Sequence, residues 1–147
     1  MTDQLTYGSF YFSTPAETSL SASPISPAKA AGTTTEFVSN GMTVTTSNRI
    51  TLDAGQTTRD YEVVASISAT KAGGGATLGT FYIAKNGTVV PGAMTNRQLA
   101  NTSDEGAVPI TCQLTLEAGD YLEIFVGSAN NDNLTVESGG MSVKVIG

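Results

Sequence analysis

The segment from Ala107 to Ser128, AVPITCQLTLEAGDYLEIFVGS, shows the clearest structural pattern in the chain. In its first half apolar and polar residues alternate, which is the period of a strand with one buried face. The apolar positions are Val108, Ile110, Cys112, Leu114 and Leu116. Gly119 and Asp120 then break the alternation, because glycine adopts positive φ and an aspartate side chain bonds nearby backbone N–H groups. A second strand begins at once, so the segment predicts a hairpin that turns at Gly119 and Asp120.

The second strand, Tyr121 to Val126, is largely apolar on both faces. One face can cover the domain's own core, whereas the other needs a second cover, most simply another copy of the chain. Leu5 to Phe12 and Leu78 to Ile83 have the same two-sided character. These strands together predict an oligomer.

Aromatic side chains on the two-sided strands are the predicted subunit contacts. The hypothesis comprises Tyr7, Tyr11, Tyr82, Tyr121, Glu123 and Phe125. Glu123 stands between two aromatic positions, so its carboxylate needs a cationic partner, which we expect from a neighbouring subunit. Periodicity alone does not fix which face turns inward. The inverse assignment places Phe10, Phe12, Leu122 and Ile124 at the contacts instead.

Further alternating segments complete an all-β pattern. Thr58 to Thr70 is predicted as a long strand, Asn86 and Gly87 as a two-residue hairpin turn, and Leu134 to Val136 and Met141 to Ile146 as the last two strands. The predicted core contains Val63, Ala65, Ile67, Phe81, Ile83, Ile110, Cys112, Leu114 and Leu116. Because Cys112 lies on an apolar face, we expect a small buried side chain rather than a reactive thiol. With no convincing helical period, the chain predicts an antiparallel jelly-roll sandwich of two sheets and about eight to ten strands.

Two polar stretches are predicted to connect strands within a single domain that spans residues 1–147. Residues 13–35 are rich in Ser, Thr and Pro, and indicate either a surface connection with short edge strands or an extended arm that packs on a neighbouring subunit. Pro91 to Glu105 is predicted as a long polar loop.

Composition excludes several classes of function. The chain of 147 residues has a formal charge of −6 and scattered cations, which argues against nucleic acid, since phosphate binding needs clustered Lys and Arg. No stretch is long and apolar enough to cross a membrane. The first residues lack the basic and apolar regions of a secretory signal, so we expect synthesis in a cytoplasm.

The residue types also argue against catalysis. Histidine is absent, which excludes Ser-His, Cys-His and His-metal sites. The carboxylates around the Gly119 turn, and Asp104 with Glu105, occupy ordinary solvated positions. Asn130, Asn131 and Asp132 lack the spacing of a calcium loop and indicate a turn. We therefore expect no catalytic residue, no metal, no cofactor and no enzymatic activity.

Two motifs resemble a known superfamily. Phe81 to Val90, FYIAKNGTVV, resembles the strand, Lys-Asn-Gly hairpin and strand of the jelly rolls of the tumour-necrosis-factor (TNF) and complement globular-head families. Leu114 to Ile124, LTLEAGDYLEI, resembles the Gly-Asp hairpin of the same families. The combination is also similar to jelly-roll domains of tailed-bacteriophage virion proteins.

The resemblance implies a homotrimer that decorates or cements the outside of a phage head. Its partners would be further copies of the chain and the major capsid protein, and its location the capsid exterior after synthesis in the host cytoplasm. The alternative is a receptor-binding knob of a head or tail fibre that recognises a cell-surface glycan through the loops at Pro91 to Glu105 and Asn130 to Asn133. An enzyme such as a glycan depolymerase is the least favoured possibility.

Overall fold

Strands form all the regular structure in the part of the chain that the computed structural model describes, residues 5–20 and 26–147. In chain order they are β1 (Tyr7–Pro15), β2 (Glu17–Thr18), β3 (Ala28–Lys29), β4 (Gly32–Asn40), β5 (Met42–Val44), β6 (Ile50–Leu52), β7 (Arg59–Lys71), β8 (Thr77–Lys85), β9 (Thr88–Leu99), β10 (Gly106–Leu116), β11 (Tyr121–Ser128) and β12 (Leu134–Val145). Within these residues the structure has no helix of the length and apolar character needed to cross a membrane.

The strands form two antiparallel six-stranded sheets that pack face to face. Sheet A has the order β10-β7-β12-β1-β4, and β2 pairs with β12. Sheet B has the order β5-β6-β11-β8-β9, and β3 pairs with β11. Strands that are distant in sequence therefore lie side by side, as in a jelly roll.

Large apolar side chains from the inner faces of both sheets fill the space between them. Phe10, Phe12, Leu122 and Ile124 point inward and are buried, which leaves the tyrosine-bearing faces of β1 and β11 on the outside. Seven of the side chains predicted for the core are also buried there: Val63, Ala65, Ile67, Phe81, Ile83, Ile110 and Leu116. Cys112 and Leu114 are only half-buried, because β10 is an edge strand of sheet A, although both pack against the core.

The link between β10 and β11 is not the hairpin that the sequence predicts. β10 pairs with β7 in sheet A, and β11 pairs with β8 in sheet B, so the turn carries the chain from one sheet to the other. The turn itself forms as expected, with Gly119 at φ +92° and the Asp120 carboxylate accepting the N–H of Glu117 at 2.8 Å. The same turn residues can reverse the chain within a hairpin or between two sheets, so they do not distinguish a hairpin from a link between sheets.

Two other segments differ from the sequence prediction. Residues 91–99 continue β9 instead of forming a loop, because an edge strand tolerates a proline and an exposed polar face. The predicted last two strands are one strand, β12, whose register shifts between Val136 and Ser138. Glu137 is the extra residue of this bulge, and Gly139, two residues further on, adopts a φ of +97°.

The connection over residues 13–35 supplies short strands to both sheets. β2 adds to β12 in sheet A, and β3 adds to β11 in sheet B. The described parts of this connection thus pair with their own chain, while residues 21–25 lie outside the described residues.

Candidate subunit interface

Five of the six residues predicted at subunit contacts are half-buried on two opposite surfaces of the sandwich, and the sixth, Glu123, is buried. Tyr7 and Tyr11 are half-buried on the outer face of sheet A. Tyr82, Tyr121 and Phe125 are half-buried on the outer face of sheet B. The structure therefore does not bring all six residues together.

An apolar patch lies on the outer face of sheet A beside β1. We call it the sheet A patch, and it comprises Leu5, Tyr7, Tyr11, Phe37, Val38 and Val64. Phe37 and Val38 on β4 are 64% and 58% exposed, and Val64 on β7, across β12 from β1, is 41% exposed. The Phe37 ring lies against the Tyr11 ring at 4.6 Å between centroids. This is an unusual density of large apolar side chains in contact with water.

A groove of about 440 Å³ runs through the patch. Small residues of β1, β7 and β12 form its floor, and larger residues form its rim. The small residues are Ser9, Ser66, Gly139, Gly140 and Ser142, and the larger ones include Tyr11, Phe37 and Val64. A second groove of about 340 Å³ adjoins it at Ser9 and Ser142, and reaches Leu5 and Val38. A protruding side chain of another molecule has room to enter here.

The exposed pair Phe37 and Val38 arises from a bulge in edge strand β4. Gly8 pairs with Ser39 and Phe10 pairs with Glu36, so two residues of β4 stand opposite the single residue Ser9. Such a bulge re-aims side chains and increases the local twist. Sequence reasoning missed both residues, because a bulge depends on the pairing register of β1 and β4.

Glu123 is the clearest correction to the predicted interface. It is 2% exposed within the monomer. Its Oε2 lies 2.8 Å from Lys29 Nζ and 2.9 Å from Arg49 Nη2 of the same chain. The expectation that a neighbouring subunit supplies its cationic partner is therefore wrong, because β3 and the loop before β6 cover this part of sheet B.

The two turns singled out in the sequence are tied together at one end of the sandwich. Asn86 and Gly87 adopt φ of 53° and 84°, as a two-residue hairpin requires. Asn86 Nδ2 donates to Asp120 Oδ1 at 2.9 Å, and its Oδ1 accepts the N–H of Tyr121 at 3.0 Å. Burial raises the pKa of Asp120, but hydrogen bonds from Asn86, the Glu117 N–H and Lys85 outweigh it, and the net pKa lies below its usual value. This network fixes the turns and leaves the Asp120 carboxylate engaged with structural partners.

The other chemically interesting side chains also have structural partners. Asp104 accepts the N–H of Ala100 at 2.9 Å and the guanidinium of Arg97 at 3.1 Å. The fully buried Lys71 ammonium donates to the carbonyls of Gly73 and Gly74 and lies 3.6 Å from Asp132. Lys71 thus places its own positive charge beside the Asn130–Asp132 turn. In the described residues, no three His, Cys, Asp or Glu side chains gather to hold a metal ion.

Comparison with solved structures classifies the sandwich. The crystal structure of murine APRIL at pH 5.0 matches with a TM-score of 0.65 and 8% identity, over 97% of this chain and 100% of that one. Eiger TNF from S. frugiperda matches with a TM-score of 0.64 and 13% identity, over 97% of this chain and 93% of that one. The fold is a TNF-like jelly roll.

The TNF-like comparison confirms the fold class expected from the sequence. At these identities the likeness shows the fold alone. No protein-family model matches the sequence, and no curated protein is detectably similar to it. The function is therefore argued from the surfaces of the molecule.

Proposed function

We propose that the chain forms a homotrimer through the sheet A patch and serves as a structural virion protein. In this proposal the trimer sits on the outside of a tailed-phage head and stabilises it as a decoration or cement protein. The observation that carries the proposal is the cluster of exposed Phe37, Val38 and Val64 with half-buried Tyr11 along two adjoining grooves. The TNF-like fold supports it, because the resemblance to this superfamily implies a trimer.

Hydrophobic burial gives the sheet A patch a strong tendency to associate. Covering an exposed Phe or Val side chain contributes about 1.5–3 kcal/mol. Phe37, Val38 and Val64 together offer several such contributions at each subunit contact. Small residues at the floor of the groove let a partner approach closely.

Ring geometry explains why sheet B is left out of this contact. In a closed ring, one surface of each subunit meets another surface of the next subunit. The directions in which these two surfaces face must differ by an angle that closes the ring. Opposite faces of a sandwich point in opposite directions, so docking one on the other extends a stack instead of closing three subunits. The proposed interface therefore keeps Tyr7 and Tyr11, and gains Phe37, Val38 and Val64. It excludes Tyr82, Tyr121 and Phe125.

A structural role also fits the side chains found. The carboxylates of Asp104, Asp120 and Glu123 are held in ion pairs that stabilise turns or strands. We infer a non-catalytic protein whose partners are its own copies and a major capsid protein.

Capsid binding tests the proposed role directly. Shells of the phage that encodes the chain, purified without this protein, would be incubated with it and sedimented. We expect saturable co-sedimentation and a higher temperature of DNA release from filled heads. A protein that stays in the supernatant at all concentrations contradicts the virion role, whatever its oligomeric state.

The alternative of a glycan-binding knob loses part of its original support. The predicted loop at Pro91 to Glu105 is mostly strand β9, so the polar loop is confined to residues 100–105. A different surface, on sheet B, carries the features of a saccharide site.

A further inference from the structure

The outer face of sheet B contains a charged and aromatic cluster that the proposed trimer does not use. We call it the sheet B site, and it comprises Lys29, Arg49, Tyr82, Tyr121, Glu123 and Phe125. Glu123 Oε2 accepts hydrogen bonds from Arg49 Nε at 3.0 Å and lies 2.9 Å from Arg49 Nη2. Lys29 Nζ approaches the same oxygen at 2.8 Å. Two cations from different segments thus converge on one carboxylate oxygen.

The cluster shows positive charge to solvent and hides its negative charge. The side chains of Lys29 and Arg49 are 33% and 38% exposed, whereas that of Glu123 is 3% exposed. Two cations against one carboxylate leave one excess positive charge on a chain whose formal charge is −6. An anionic group that reached this surface would be attracted by that local charge.

Donors remain available on both cations. An ammonium has three N–H donors and a guanidinium has five, held in a rigid fork that suits a carboxylate. Glu123 engages Nε and Nη2 of Arg49 and approaches one face of the Lys29 ammonium. The other N–H groups have no partner among residues 5–20 and 26–147, and can bind a second carboxylate from outside the protein.

Asn48 holds Arg49 in place. Its side chain is buried between β3 and β6, with Nδ2 donating to the carbonyls of Ala30 at 3.2 Å and Ile124 at 2.9 Å. Its Oδ1 accepts the N–H of Ile124 at 3.1 Å. The amide thereby hydrogen-bonds to the backbone of β11 between the residues that pair with β6 and those that pair with β3. The next residue, Arg49, projects over the ring of Tyr121, with its Cζ 3.9 Å from the ring centroid. The cationic part of the site is thus pre-organised before any ligand arrives.

A row of side chains that includes two aromatic rings extends from Lys29 across the sheet. Phe125 is directly opposite Lys29 on one side and Tyr82 on the other, and Tyr82 is opposite Met94. Adjacent strands lie about 4.8 Å apart, so this row of four residues is about 14 Å long. The adjacent Phe125 and Tyr82 suit the apolar C–H face of a pyranose, while the cations at the end of the row suit a carboxylate.

We propose that the sheet B site binds an acidic sugar residue of a surface polysaccharide. The sugar carboxylate lies against Lys29 and Arg49, and the ring packs on Phe125 and Tyr82. A neutral sugar would leave the excess charge unpaired, and therefore binds more weakly. This inference concerns a surface distinct from the sheet A patch and does not depend on trimer formation.

Titration with defined saccharides tests the site in the full-length protein. The probes are trigalacturonate and 3′-sialyllactose, with neutral galactotriose and lactose as their counterparts, followed by NMR or calorimetry. We expect saturable binding of at least one acidic probe that weakens with added salt, and much weaker binding of the neutral ones. Failure of both acidic probes to bind, or equal binding of neutral and acidic probes, overturns the proposal.

Matched variants locate the binding. Lys29→Gln keeps the Glu123–Arg49 pair, and we expect an affinity loss of about tenfold, since one charge-assisted hydrogen bond is removed. Phe125→Ser should weaken binding similarly. Lys85→Gln makes the same change of net charge beside Asp120, away from the row, and should leave affinity unchanged. Equal losses in Lys29→Gln and Lys85→Gln, or a change of oligomeric mass in Phe125→Ser, contradict the proposed site.

Discussion

Asn48 shows how one side chain can replace a stretch of strand. β6 pairs with Tyr121 and Leu122, and β3 pairs with Phe125 and Val126, so neither strand covers Ile124. The Asn48 amide oxygen supplies the acceptor for the Ile124 N–H, and its Nδ2 is a second donor to the Ile124 carbonyl, which also accepts the N–H of Ala30 at 3.0 Å. Its φ of 59° is also one that asparagine tolerates better than most residues.

Replacing Asn48 should therefore be costly. We expect Asn48→Ala to lower the free energy of unfolding by about 3 kcal/mol, because it leaves buried backbone groups unsatisfied and places alanine at positive φ. Urea denaturation measures this loss. Asn131→Ala is the matched control, since Asn131 has a φ of 58° but its Oδ1 has no hydrogen-bond partner. Equal losses in the two variants would show that the Asn48 bridge contributes little.

The ion pairs of Glu123 and Glu62 should differ in strength because they differ in burial. We expect Glu123→Gln to cost about 1–2 kcal/mol, less than a fully buried pair, because water screens its two partly exposed cations. Glu62→Gln removes the exposed pair with Lys144 and should cost about 0–0.5 kcal/mol. Both values come from urea denaturation at neutral pH. A larger loss in Glu62→Gln would contradict the burial argument.

Asp120 should make stability depend on pH in the acid range. Its folded-state pKa is lowered, so its contribution is fully present above the unfolded pKa of about 3.9 and is lost as pH falls through the folded value. We expect Asp120→Asn to be less stable than the wild type at pH 7 and the difference to shrink below pH 4. Thermal unfolding from pH 7 to pH 2.5 measures this trend. A difference that stays constant over that range excludes the proposed linkage.

At the scale of elements, the two glycines of β12 permit its close packing. A Cβ at Gly139 would stand 2.0 Å from the Ser66 carbonyl oxygen, and one at Gly140 would stand 1.9 Å from that of Phe10. Both contacts are with backbone, so neighbouring strands would have to move. Gly139 and Gly140, which lie between the two strands that the sequence predicts, thus let β12 lie between β1 and β7.

Gly140→Ala should consequently disrupt sheet A. We expect a loss of about 3 kcal/mol or more in the free energy of unfolding, because the Cβ would meet the backbone of β1, which cannot move without breaking its own pairing. Gly73→Ala is the control, since a Cβ there meets no atom within 4 Å. Urea midpoints and soluble yield compare the two variants. Near-equal stability of the two would contradict the close packing described.

The sequence predicted the positions of the strands better than their pairing in the sheets. The alternation of β7 is strong because that strand has one buried face, and its observed bounds are shifted by one residue from the predicted Thr58 to Thr70. β9 was hidden because Pro91 and a polar outer face resemble a loop. The assignment of β10 and β11 to different sheets could not be read from Gly119 and Asp120, which suit both a hairpin and a link between sheets.

At the scale of the whole molecule, the outer faces of the two-sided strands belong to two different surfaces. Tyr7 and Tyr11 border an open apolar groove on sheet A, whereas Tyr121 and Phe125 border a charged cluster on sheet B. Sequence identified the aromatic positions because alternation was visible within each strand. It could not separate them into two surfaces, since that separation depends on which sheet each strand joins. Phe37 and Val38 were missed because only the bulge against Ser9 turns them outward.

The proposed assembly through the sheet A patch is tested most directly by the mass of the protein in dilute solution. Light scattering after size exclusion should give three times the 15.1 kDa of one chain. Phe37→Ser and Val64→Lys should shift the protein toward the monomer, while Leu78→Ser, which changes an exposed apolar residue of sheet B, should leave the mass unchanged. A wild-type protein of 15.1 kDa, or a trimer that both sheet A substitutions leave intact, would contradict the assignment.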